Sequence, residues 1–141
     1  MKLGRLSTSR FYHTAYEWHV DFQFAEVMHN YFVHGYSPGG FFTALLANDA
    51  FSALSRSHVG NTISALKSLV GWINSMPLRG IAYGSYEAVD NWLTATPDYR
   101  RQKLVEANLI FDEQDEIMFI LRGEELKTPY TELQRREHES R

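Results

Sequence analysis

Tyr12–Phe24, YHTAYEWHVDFQF, is the stretch on which the fold class turns. Its even positions are all apolar, aromatic or Thr (Tyr12, Thr14, Tyr16, Trp18, Val20, Phe22, Phe24), whereas the odd ones include His13, Glu17, His19, Asp21 and Gln23. Successive side chains of a strand point to opposite faces, so this period of two predicts a half-buried β-strand, at least as far as His19. Asp21 then caps a first helix, with Phe24, Val27, Met28, Tyr31 and Phe32 as its inward stripe and Gly35 as its end. His29 points away from that stripe and His34 lies on its edge.

A strand needs a partner, and the C-terminal third offers one. Leu109-Ile110-Phe111 and Ile117–Leu121 are rich in strand formers and flank the acidic run Asp112–Glu116, a pattern that predicts a β-hairpin ended by Gly123. The expected architecture is therefore α+β: a mainly helical core of about four to five helices with a small antiparallel sheet made by the N-terminal strand and the C-terminal hairpin. Acid pairs at the hairpin tip, such as Asp112 with Glu116, are too exposed to have a raised pKa and lack the spacing of a calcium loop. Thr128-Pro129 opens a last polar segment anchored by Tyr130 and Leu133. Residues 1–9 and 135–141 read as frayed ends.

Between these lies HGYSPGGFFTALLANDAFSALSR, His34 to Arg56. Gly35, Pro38 and Gly39-Gly40 stop and turn the chain, and a second helix follows with Phe42, Leu45, Leu46, Asp49, Ala53 and Arg56 on one stripe. A carboxylate on an apolar stripe must be paired or hydrogen-bonded, because an isolated buried charge is costly to desolvate. Arg56, two turns on, is one partner in reach, and the amides of the Ser37–Gly40 turn are the other. The bland reading is a structural knot that pins the turn to the helix. The sharper one groups His34, Gly39, Gly40, Asn48, Asp49 and Arg56 as a ligand site, in which amides at a helix N-terminus hold an anion such as a phosphate or nucleotide.

This run, with Asn61 and the Gly84-Ser85 start before Trp92, resembles a group of small phage and prophage proteins that carry a pattern close to HG-x-x-P-G-G-F-L-x-A-V-L-x-N-D-L. Phe42 stands where the pattern has Leu, and so does Ala50. The likeness spans residues 24 to 93 and leaves out the N-terminal segment and everything after Ala95. It implies a mobile-element setting and no chemistry.

Further along, Thr62, Ile63, Leu66, Leu69, Val70 and Ile73 line a third helix, with Trp72 off the stripe as a flank of the core or an exposed anchor. Ser85 caps a short helix carrying Val89, Trp92 and Leu93, and Thr96-Pro97-Asp98 starts another. Gly80–Gly84 lacks the Gly-Lys-Ser/Thr ending of a phosphate loop. The six histidines include no pair at the spacing of a His-Glu-x-x-His zinc site, so no metal is expected.

A chain of 141 residues is expected to form one domain (1–141) with a core of its own. A net charge of -3 disfavours nucleic acid as a partner. There is no cysteine, which removes thiolate catalysis and thiolate metal sites. No apolar run is long enough for a membrane span or signal peptide, so a cytoplasmic protein is expected, in the host cell if phage-encoded. Aromatics make up 14% of residues, and such side chains anchor interfaces; Tyr12, Tyr16, Trp18 and Trp72 are the candidates. With no nucleophile–base pair and no cofactor fingerprint, the expected function is a non-catalytic interaction protein that binds a host or defence-system macromolecule. Binding of a small anion or nucleotide is the alternative, no cofactor is expected, and a homodimer through a strand edge stays open.

Overall fold

The computed structural model describes residues 2–58 and 60–126. Among them the chain forms eight helices: α1 (Ser7–Glu17), α2 (Phe22–His34), α3 (Gly40–Leu46), α4 (Ala50–Arg56), α5 (Ile63–Ser75), α6 (Tyr86–Thr94), α7 (Pro97–Glu106) and α8 (Glu113–Leu121). The described residues contain two isolated bridges, Leu3 with Asp112 and Arg79 with Tyr83, and no strand. The α+β expectation is therefore overturned: the described residues are mainly helical and contain no sheet. The expected segment with Thr128-Pro129, Tyr130 and Leu133, and the frayed end at 135–141, lie outside the described residues.

Two misreadings account for the missing sheet. Phe11, Tyr12 and Ala15 are the buried apolar side chains of α1, at i, i+1 and i+4, which is one face of a helix. Tyr16 and Trp18 are exposed aromatics, and counting them as inward-facing created the false period of two. The second segment fails as a hairpin because Asp112 is a helix cap: its carboxylate accepts from the Asp115 amide at 2.7 Å, and Glu113, Asp115 and Glu116 place negative charge at the positive end of α8. The run Ile117–Leu121 suits a strand by composition, yet only Phe119 of it is buried. The segment before α1 does meet the segment that opens α8, through the bridge at Leu3, the Gly4 amide donating to the Phe111 carbonyl at 2.9 Å and the Glu113 amide donating to the Lys2 carbonyl at 3.3 Å.

The second expected helix is also two. Asn48 sits in the left-handed region at φ 63°, and the chain restarts at α4 with Asp49 as its N-cap. Phe24, Met28, Tyr31 and Phe32 of the expected α2 stripe are buried, but so is His29, which was expected to point away, because α1 packs over that side of the helix; Gly35 ends α2 as read, with φ 69°, and its amide and the next one donate back into the last turn. Thr62, Ser85 and Thr96 accept from the third amide of α5, α6 and α7, respectively.

Phe11, Phe32, Trp72 and Trp92 form the centre of the core, and Phe11 meets Trp72 edge-on at 5.3 Å. Helix α2 packs against α1 and α7, and α3 against α4 and α6. Buried polar tips are satisfied by backbone: Tyr31 Oη donates to Ala82 O at 2.7 Å and Tyr83 Oη to Met76 O at 2.6 Å, which fixes the 76–84 loop under the core.

Two buried charges complete the frame. Glu116 accepts from the amides of Arg5 (2.6 Å) and Leu6 (3.1 Å), so α8 caps the open N-terminus of α1. Arg100 does the converse at helix C-termini, donating to the carbonyls of His34, Trp92 and Ala95. Its position explains Gly35: a Cβ there would lie 2.6 Å from the Arg100 guanidinium carbon.

Candidate functional site: an apolar groove

Helix α5 buries Leu69, Trp72 and Ile73 and carries more apolar side chains than that face needs. Ile63 is 85% exposed, and Val70 also faces solvent. Helix α4 is alike: of its seven residues only Ala53 is buried, while Phe51 is 91% and Leu54 67% exposed. The two helices stand apart, and the space between them is an open groove of about 780 Å³. Leu54, Ile63 and Val70 form its sides, Phe41 and Leu45 come from α3, and Trp18 closes it from the end of α1. Gly71 lets that indole lie close to α5, since a Cβ at this position would come within 3.0 Å of Trp18 Cζ3.

A smaller cavity of about 200 Å³ shares Leu45, Ala50 and Val70 with the groove and adds Asn48, Asp49 and Asn74. The recess thus has an apolar body with one cation, Lys67, and a polar extension with one carboxylate. Asp49 accepts from Tyr86 Oη at 2.6 Å and from the Ser52 amide at 3.2 Å. These bonds hold its carboxyl below the usual carboxylate value and push the Tyr86 phenol up. Arg56 adds the smallest attraction.

Asp49 is therefore a half-exposed cap at a helix break, rather than an acid set into an apolar stripe. Of the predicted ligand cluster, Arg56 lies beside Gly40 and within electrostatic reach of Asp49, whereas His34 has other neighbours. The Arg56 guanidinium lies over Gly40, where an added Cβ would be 2.6 Å from Nη1, while Gly39 and Asn48 are exposed bends of the chain. His34 is occupied with aromatic neighbours, stacked on Tyr36 at 5.4 Å and edge-on to His29 at 5.4 Å. Among the described residues no hydrogen bond or ion pair joins His34 to Asp49 or Arg56. Of the predicted interface aromatics, Tyr12 and Trp72 are core residues, with Trp72 Nε1 donating to Thr14 Oγ1 at 3.2 Å. Tyr16 and Trp18 are on the surface, and Trp18 alone of the four lines the groove.

Ile63 and Val70, expected on the inward face of the third helix, are exposed, because only the side bearing Leu69, Trp72 and Ile73 meets the core; Phe51 and Leu54 were not singled out by the sequence. A signal existed: α4 and α5 both carry apolar residues on more than one side, the mark of a helix with two apolar neighbours or one unfilled face. His29, by contrast, is a core histidine. It stacks on Tyr12 at 5.2 Å and meets Phe11 at 5.4 Å, and burial, with His34 as a like charge, lowers its pKa to about 4.

Among the described residues no three His, Asp or Glu side chains converge on one point. Among the described residues no helix is long and apolar enough to cross a membrane. Compared with known protein families, curated proteins and solved structures, the chain matches no family model, no curated protein and no solved structure.

Proposed function

We propose that this chain is a non-catalytic protein-binding module whose groove receives an amphipathic helix of another protein. In the phage setting that the sequence resemblance implies, that protein is a host or defence-system component. The observation that carries the reading is the groove itself, walled by Leu54, Ile63, Val70 and Trp18, side chains that a monomer gains nothing by presenting to water. Helix-in-groove recognition uses this kind of surface, with anchors at helical spacing on the ligand entering an apolar trough. Trp is among the residue types that most often carry the affinity of such contacts, and Trp18 lines this groove.

The test is a groove-directed crosslink. A photo-crosslinking residue at position 54 is expected to capture one protein from host lysate, with the linked peptide mapping to an amphipathic helix. In that crosslinking background, Ile63→Glu and Val70→Glu should each abolish recovery of that protein with unchanged helical content. Recovery undiminished by both variants, or a linked peptide without an apolar helical face, refutes the reading.

A further inference from the structure

Among the described residues, a second apolar surface without a partner sits on α8. Glu116 and Phe119 are its buried residues, and Ile117, Met118, Ile120 and Leu121 face outward, Leu121 being 74% exposed. Positions i, i+1, i+3 and i+4 share one side of a helix, so these four make a continuous apolar ridge. The helix has nine residues, about 13 Å at 1.5 Å per residue. Its first turn bears Glu113 and Asp115, and Arg122 follows its last turn, ion-paired to Glu124 at 3.1 Å.

We infer that the groove also recognises α8 of a second copy of this chain, docked head-to-tail, an inference that rests on the groove being a helix-binding site. Shape and charge agree. The apolar ridge matches the apolar trough, and the one cation that lines the groove, Lys67, is opposite in sign to Glu113 and Asp115 in the first turn of the helix.

A chain cannot fill its own groove in this way. Glu116 ties α8 to the amides of Arg5 and Leu6 at the start of α1, while Trp18, the groove residue, caps the other end of that helix. The eleven residues of α1 hold the two surfaces about 16 Å apart. Because ridge and trough are different surfaces, the contact is heterologous, and it propagates to rings or filaments rather than closing as a two-fold dimer.

The experiment is sedimentation velocity over micromolar to millimolar protein, with circular dichroism to confirm that each variant is folded. The wild type should grow in mass with concentration beyond a dimer. Ile117→Glu/Leu121→Glu, which loses the ridge, and Leu54→Glu/Ile63→Glu, which loses the trough, should each be monomeric alone. Mixed one to one they should form a dimer and nothing larger, because each supplies the surface that the other lacks.

A wild type that stays monomeric at 1 mM overturns the inference and leaves the helix-binding reading standing if the position-54 crosslink still captures a partner. Association lost in the ridge variant but intact in the trough variant overturns it in favour of ridge-on-ridge pairing. A mixture that stays monomeric also overturns it.

Discussion

Substituting Ala at Gly35 should cost far more than the loss of a flexible residue, and the excess should vanish when Arg100 is absent. Gly35 has φ 69°, where an L-residue is disfavoured by about 1 kcal/mol. The new methyl group would also sit 2.6 Å from the guanidinium carbon of Arg100, which is 5% exposed and has nowhere to retreat. Displacing that side chain breaks its bonds to the carbonyls of His34, Trp92 and Ala95. A hydrogen bond to a charged group contributes about 1.5–3 kcal/mol net. If partial relaxation saves half of the three, Gly35→Ala costs about 3–5 kcal/mol, a large share of a domain's stability. Arg100→Met alone should cost about 2–4 kcal/mol by leaving helix-terminal carbonyls unpaired. In that background the clash is gone, and Gly35→Ala should cost only the backbone strain of about 1 kcal/mol. Urea unfolding of the four proteins gives the coupling directly. Equal cost of Gly35→Ala in both backgrounds would show that Arg100 does not fill the space above Gly35.

Four further outcomes are expected. Unfolding by urea should become easier as pH falls from about 6.5 to 4, because His29 binds a proton in the unfolded chain at its ordinary value but in the fold only near 4; the loss is about 3 kcal/mol, and His29→Phe should flatten that part of the profile. Glu116→Ala should cost about 2 kcal/mol and speed hydrogen exchange at Arg5 and Leu6, whereas equal exchange in the variant would refute the capping role. Tyr31→Phe, which deletes the buried bond to Ala82, should cost about 1–2 kcal/mol by thermal unfolding. Nucleotides and inorganic phosphate should leave the melting temperature unmoved, since the Asp49 carboxylate sits within electrostatic reach of Arg56 and opposes a second anion there; a ligand held at about 100 times its Kd would add about 2.7 kcal/mol, and such a shift, removed by Arg56→Ala, would return the anion reading to Gly40 and Arg56.

Local chemistry was legible in the sequence where it was settled within a few residues. Gly35 as a helix stop, Ser85 and Thr96 as caps and Pro97 at a first turn all depend on neighbouring amides and carbonyls, and a chain reads its own neighbours. The inner stripe of α2 was legible for the same reason, because its period matched a helix and nothing competed with it. What failed was every inference that required knowing which apolar side chains are covered. Tyr16 and Trp18 made α1 look like a strand, and Ile117–Leu121 made α8 look like half a hairpin, because composition counts apolar residues without saying which ones find a neighbour. Only the tertiary structure placed Trp72 inside, moved Asp49 from an apolar stripe to a helix cap, and brought Arg100 under Gly35. The groove belongs to the same class: Trp18, Leu54 and Ile63 come from three separate segments, and their shared exposure follows from how α1, α4 and α5 pack.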